Sequence, residues 1–340
     1  MRNPTRVFVA LLLACAFGLA GYLYWVNART FSSRTTASRA GASLRTLTGP
    51  LAVPQILFRY VGVDENYGKL AVVVRNDVQT PRFLDRLSCD VVHFAAGRGI
   101  CLTANRGVLT TYAATIFDSM QTPLSTMPLG GEPSRCRMSR DGSLAAFTVF
   151  VSGHSYSSLD FSTETLLVDA ASGATIANVE AFAVTRNGQP FRAKDFNFWG
   201  VSFTPDSKRF YCTLSTNRMQ YLVEGDIATR TASVVHDNVE CPSVSPDGFR
   251  VAYKKRLVVD HRVVWQLHVL DLAGMRDTPL HETRSVDDQL EWLDNDHVLY
   301  AVSENPAGSS ASTDVWVADA GGMTPPQLFL AKAYSPAVVR

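Results

Sequence analysis

The sequence predicts an all-β chain: a six-bladed β-propeller whose first and last strands share one blade, behind a single amino-terminal hydrophobic helix. Three observations predict it. One strand–turn–strand sentence recurs along the chain. Its copies are spaced at roughly 40–50 residues, the period of a repeat architecture such as a propeller. The two chain ends look like complementary parts of one further repeat. The clearest copy is Ser243-Val-Ser-Pro-Asp-Gly-Phe-Arg-Val-Ala-Tyr253. Pro246 presets φ, Asp247 bonds local backbone and Gly248 tolerates positive φ, so the three make a tight turn. Val251 and Tyr253 then alternate with Arg250 and Ala252, as in a half-buried strand.

From the amino terminus, Val7–Val26 is an uncharged, mostly apolar run of 20 residues. As a helix it can cross a hydrocarbon core of about 30 Å. Arg2 and Arg6 precede it and favour a cytoplasmic amino terminus, and Tyr22, Tyr24 and Trp25 suit the far interface. Residues 1–28 are thus a signal-anchor, or a secretory signal peptide cut near Ala28. The length of the apolar run favours the anchor. Residues 29–50 are rich in Ser, Thr, Ala and Arg and read as a flexible linker. Both alternatives export residues 51–340. The location expected is the cell membrane, single-pass with an extracytoplasmic propeller, or else secreted or periplasmic after cleavage.

Residues 52–86 read as three strands, Ile56–Val61, Lys69–Arg75 and Arg82–Leu87, lacking an innermost partner. Five complete blades follow, at 88–132, 133–193, 194–238, 239–286 and 287–333. The second has Thr165–Asp169 and Ala177–Thr185 as its outer strands. The tail, Tyr334–Arg340, reads as an innermost strand without a blade. Joining it to residues 52–86 makes the sixth blade and pairs edges that would otherwise be open.

The five cysteines of the exported body contain no Cys-x-x-Cys pair, which argues against structural zinc. Cys89 and Cys101 flank the first hairpin turn at Ala96-Gly97, where antiparallel neighbours meet bridging geometry. They are the expected disulfide. Cys136, Cys212 and Cys241 read as small buried residues.

The amino-terminal 50 residues hold six arginines and no acid, so the remainder carries 26 basic and 31 acidic side chains. A weakly acidic body argues against nucleic acid as a partner. Standard catalytic signatures are missing. Gly153-His-Ser-Tyr-Ser157 lacks the last glycine of a nucleophile elbow, and His281-Glu-Thr-Arg-Ser285 lacks the second histidine of a zinc motif. No phosphate loop occurs. The expectation is that the protein is not an enzyme and has no cofactor, with Ca²⁺ as the one candidate ligand ion.

Three places present binding chemistry. Asp195-Phe-Asn-Phe-Trp-Gly200 sets Asp195, Asn197 and Trp199 at a blade entrance, where they serve recognition or simply pack between blades. Asp90, Asp195, Glu240, Asp287, Asp288 and Glu291 are expected around one mouth of the central channel. Converging carboxylates there suit Ca²⁺ or a basic peptide, and the alternative is solvated charge paired with arginines such as Arg135. The long loop Ser152–Ser162 offers His154 and Tyr156 to a ligand.

The recurring sentence, in its copies at Ser243–Tyr253, Phe203–Cys212 and Met138–Phe147, resembles the S-P-D-G-x-x-[IVL]-A-[FY] repeat of TolB-like, WD40-like (PD40) propellers. The resemblance covers most of residues 52–340 and weakens at Ala96-Gly97 and Asp294-Asn-Asp296. Residues 1–50 are too short for the separate α/β domain of periplasmic TolB proteins, so roles that need that domain do not carry over. The resemblance implies a binding module. The expected function is an exported, membrane-anchored, non-enzymatic scaffold or receptor for a protein, peptide or other cell-envelope component, held in the membrane through residues 7–26. The alternative is an enzyme or Ca-dependent glycan-binding module that uses the acidic mouth.

Overall fold

The computed structural model describes residues 54–151, 161–303 and 312–339. The hydrophobic run at 7–26, the linker, His154 and Tyr156 lie outside them. Among the described residues no helix is long and apolar enough to cross a membrane.

The chain first lays down β1 (Gln55–Tyr60), β2 (Lys69–Val74) and β3 (Asp77–Ser88). Next come β4 (Val91–Ala95), β5 (Arg98–Asn105), β6 (Thr111–Asp118) and β7 (Pro123–Leu129), then β8 (Gly131–Met138), β9 (Leu144–Val151), β10 (Ser162–Asp169) and β11 (Thr175–Asn178). An excursion follows: a 3-10 turn at Val179–Ala181, then β12 (Ala183–Arg186) and β13 (Gln189–Pro190). The next blade is β14 (Asn197–Phe203), β15 (Arg209–Thr216), β16 (Met219–Asp226) and β17 (Thr231–Asp237). Then come β18 (Glu240–Val244), β19 (Arg250–Val259), β20 (Arg262–Asp271) and β21 (Arg276–Pro279), followed by β22 (Glu291–Trp292), β23 (His297–Ser303), β24 (Thr313–Asp319) and β25 (Gln327–Leu330). The last strand is β26 (Ala333–Val339).

These strands form six sheets, and the first has the order β26-β1-β2-β3. The tail therefore supplies the innermost strand for the sheet begun at Gln55, with Gln55 opposite Val339 and Ile56 opposite Val338. Ring closure by both chain ends is as expected. Six buried apolar clusters lie among the described residues, each between two neighbouring sheets. The clusters around Leu57–Phe94 and Ile56–Leu299 flank the closing sheet on its two sides, so the packing runs unbroken round the ring.

One expected strand differs. Ala177–Thr185 does not continue as a single outer strand. β11 stops at Asn178, whose side chain caps the 3-10 turn by accepting from the Glu180 N–H at 2.9 Å. The chain then crosses to the next blade, where β12 pairs in parallel with β17, Ala183 opposite Thr231. An Asn that satisfies the first turn's N–H groups favours a helix start over more strand.

The repeated turn has a side-chain reason. Ser139, Thr204 and Ser245 each donate their hydroxyl to the Asp two residues on (Asp141, Asp206, Asp247) at 2.5–2.6 Å. Each hydroxyl also accepts the backbone N–H five residues on, from Leu144, Arg209 and Arg250. The residue with positive φ is Gly142, Ser207 or Gly248. The two weaker copies use other chemistry: Ala96 (φ 46) and Gly97 (φ 80) make a two-residue hairpin turn, and Asp294 accepts from the Asp296 N–H at 2.8 Å.

Cys89 and Cys101 form a disulfide with Cα atoms 5.3 Å apart. Closing a loop of this length contributes about 3 kcal/mol in the chain-entropy account. Cys136, Cys212 and Cys241 are buried, as expected, and free.

Candidate functional site

The innermost strands β4, β8, β14, β18, β22 and β26 run side by side around a channel, entering at one face and leaving at the face of the Ser-Pro-Asp-Gly turns. At the entry face lies an open recess lined among others by Arg59, Asp90, Arg106, Arg135 and Tyr334. At the exit face lies a funnel to which all six innermost strands contribute. Its walls include Phe94, Phe203, Pro246 and Trp292, and its polar groups include Arg137, Arg140 and Glu291.

Arg137 and Glu291 form a buried ion pair at the funnel floor. Arg137 Nη2 also donates to the Leu290 carbonyl at 2.8 Å. His93 Nδ1 accepts the Met138 N–H at 3.1 Å, which leaves its ring proton on Nε2, 3.5 Å from Glu291 Oε2. A fixed, hydrogen-bonded pair of this kind is a rigid polar floor beneath a wall of mixed character.

The six acids of the expected mouth do not converge. Four positions instead share a strand-end device. Asp90 accepts from the Ala104 N–H at 2.7 Å, Asp195 from Asn217 at 2.7 Å and Asp288 from Ala301 at 2.8 Å. Asn238 does the same for Arg256 at 3.1 Å. In each case the side chain just before an innermost strand satisfies an N–H at the far end of the next strand, so these acids complete their blades. Glu240 and Asp287 both meet Lys254, which is 3.8 Å from Glu240 and hydrogen-bonds Asp287. Asp287 also faces Arg135 at 3.9 Å. Glu291 belongs to the other end of the channel. Among the described residues no three His, Cys, Asp or Glu side chains are grouped to hold a metal ion.

Asn197 and Trp199 join two blades. Asn197 Oδ1 accepts the Thr163 N–H at 2.9 Å, and Trp199, buried, packs edge-on against Phe161 at 5.7 Å. Both thus take part in packing between blades. Gly200 lets β14 approach β18 closely: its φ is +67, and a Cβ there would lie 2.9 Å from the Cys241 Cα. Sequence reading missed His93 and Arg137. The available signal was Arg135-Cys-Arg137-Met, charge alternating with apolar residues in an innermost strand, which points guanidinium groups at the channel.

Burial pushes Glu240 up to about 7, with Lys254 opposing, and burial likewise pushes Glu180 to about 7 against hydrogen bonds from Thr165 and Thr163. Asp141 moves the other way: burial opposes, but bonds from Ser139 and Ser143 hold it at about 2. A carboxyl raised on folding binds protons that the unfolded chain has released, so its contribution is lost as pH rises from about 4.5 through 7. A depressed carboxylate contributes above its unfolded value and is lost as pH falls from about 4 towards 2. The melting temperature is therefore expected to peak at roughly pH 5 and to fall on both sides. Scanning calorimetry across pH checks this, with Glu180→Gln and Glu240→Gln expected to flatten the alkaline slope. A wild-type profile level from pH 5 to 8 would contradict the raised acids.

No protein-family model matches the chain, and no curated protein matches it. Solved structures do. TolB from Acinetobacter baumannii superposes with a TM-score of 0.60 at 17% identity, over 84% of this chain and 67% of that one. The chain has a TolB-like six-bladed β-propeller fold. The nidogen/laminin complex gives 0.54 at 9% identity, over 84% and 98%. Oligogalacturonate lyase in complex with manganese gives 0.51 at 11%, over 84% and 78%. At these identities the likeness is one of fold, and what this TolB-like propeller does must come from its own channel.

Proposed function

We propose that this TolB-like propeller is a non-enzymatic binding scaffold, exported and membrane-anchored, that receives a protein or peptide segment of the cell envelope at its channel. The carrying observation is the exit funnel, of mixed polar and apolar lining, built by all six innermost strands over the buried Arg137–Glu291 pair. A concave site with fixed, hydrogen-bonded polar groups is what ligand sites share. Export is supported by the Cys89–Cys101 disulfide, which persists in oxidising compartments, and anchoring by the uncharged run at 7–26. The nidogen/laminin complex supplies the fold-level analogy for partner binding. The acids engaged in their own blades give the metal-dependent alternative no comparable footing.

The test uses the full chain in mild detergent as bait on solubilised membranes. Arg140 stands exposed at the funnel and donates to the Pro246 carbonyl at 2.8 Å. Arg140→Glu is expected to lower the yield of a captured envelope protein about tenfold. Arg276→Glu, exposed on an outermost strand, is expected to leave it unchanged. Equal capture by wild type and Arg140→Glu would sink the funnel as the docking place.

A further inference from the structure

Exposed apolar side chains gather at the entry face of the ring. In each blade the second strand runs back to that face, so the turn joining it to the third strand lies there. Four of these turns fall among the described residues, at 61–68, 106–110, 217–218 and 260–261. Val63 in the first is 89% exposed, Val108 and Leu109 in the second are 97% and 80% exposed, and Met219 beside the third is exposed too. The fourth tops the longest paired hairpin among the described residues. β19 and β20 pair out to Val259 opposite Arg262, through a two-residue turn with positive φ at Asp260 and His261. With ten residues in each strand, against eight in β15 and β16, this hairpin reaches about 7 Å further. Val258 stands opposite Val263, and alternation sends Val259 to the other side, so the tip is apolar on both faces and all three valines are exposed.

The two faces differ in charge as well. At the exit face every turn joining a third strand to a fourth carries or adjoins an aspartate, among them Asp118, Asp169, Asp226 and Asp319. The four entry-face turns are balanced instead, with Asp64, Glu65 and Asp260 against Arg106, Arg218 and Arg262. A dense set of carboxylates is repelled by anionic lipid headgroups, whereas apolar tips among balanced charges are not. Separate tips set round a ring also suit a flat, deformable surface, while a shaped protein partner matches a contiguous patch. Chain length agrees. β1 begins at the exit face, where Gln55 lies opposite Val339. The 27 residues between Val26 and Pro54 span at most about 90 Å, and an eight-residue strand spans about 27 Å. They are enough to pass the side of the ring and reach a bilayer at its entry face.

We propose that the ring lies on a lipid bilayer by its entry face, with the tips at Val63, Val108, Leu109 and Val258–Val263 entering the interface and the exit funnel turned away from the membrane. A single anchor plus a second, weaker contact of this kind holds a domain in one orientation. The inference rests on the anchored-scaffold reading and deepens it: the funnel then opens to whatever approaches from the far side of the compartment.

The test uses the full chain reconstituted into phosphatidylcholine vesicles, with and without a lipid that carries a doxyl quencher near the headgroup. A thiol-reactive environment-sensitive dye is placed through Val259→Cys at the entry face or through Met323→Cys, an exposed position at the exit face. Cys136, Cys212 and Cys241 are buried and take no label in the folded chain. Doxyl lipid is expected to quench the dye at 259 at least about threefold more than the dye at 323. Adding Val108→Asp and Leu109→Asp, both on the surface, is expected to reduce the quenching at 259 while the chain still floats with the vesicles. Equal quenching at the two positions, stronger quenching at 323, or quenching at 259 unchanged by the two aspartates overturns the proposal. So does a dye at 259 that is shielded but not quenched, as a second copy or a protein partner would leave it. A chain that does not float with vesicles overturns the anchoring and this contact together. A chain that floats without quenching at 259, yet captures a partner that Arg140→Glu loses, overturns the lipid contact alone and leaves the scaffold reading standing.

Discussion

Deleting residues 333–340 is expected to abolish cooperative folding. The deletion removes β26, the innermost strand of the closing sheet, and with it the pairing from Gln55–Val339 to Tyr60–Ala333. Ala333, Ala337, Val338 and Val339 are buried, and they cover Ile56 and Leu57, which have no exposed surface. Each large side chain so uncovered loses roughly 1.5–3 kcal/mol. Unpaired buried backbone groups add about 1–3 kcal/mol each. The sum is comparable with the whole stability of a domain, about 5–15 kcal/mol. The two clusters that flank the closing sheet are breached together, because Val338 belongs to one and Ala337 and Val339 to the other. Circular dichroism during a thermal scan is the check. A truncated chain that melts in one transition within a few degrees of wild type would mean the ring does not depend on its tail.

Arg137→Ala is expected to cost about 3–5 kcal/mol, because it leaves Glu291 buried without its partner. Glu291 is 6% exposed, with His93 Nε2 at 3.5 Å and the Val338 N–H at 3.4 Å as weaker company. In a ring of this size the loss lowers the melting temperature by roughly 10 °C. The double replacement Arg137→Met with Glu291→Leu is expected to recover most of it, since an apolar pair of similar volume needs no desolvation. Urea unfolding of the three chains separates the pair's geometry from its charge. A single variant within 1 kcal/mol of wild type would show that the funnel floor is not held by this pair.

The architecture was legible because its determinants are local and repeated. Pro246-Asp247-Gly248 states a turn by itself, and Val251 and Tyr253 state a strand, so the period could be counted without tertiary knowledge. The closing blade was legible from what each end lacked. The disulfide followed from two cysteines flanking one turn. The channel was less legible, because its chemistry depends on which partner each polar group finds. Asp90, Asp195 and Asp288 look like ligand acids in a linear reading, yet each satisfies a backbone N–H about 13–22 residues away. Arg137 meets Glu291 across 154 residues, a pairing no local pattern reports. The crossing of β12 to the next blade was hidden for a similar reason. Asn178 reads as a strand residue until its side chain is seen to cap the following turn.

The outermost strands bear on how copies of the molecule behave together. In the blade that receives the excursion, the rim is the two-residue β13, which ends on Pro190. β3 carries Pro81, β7 carries Pro123 and Pro128, and β21 ends on Pro279. β11 and β25 are only four residues long, and Pro325 and Pro326 stand just before β25. A proline has no N–H to offer a neighbouring molecule, and a very short rim gives little to zip against. Every rim so described therefore discourages edge-to-edge growth into filaments.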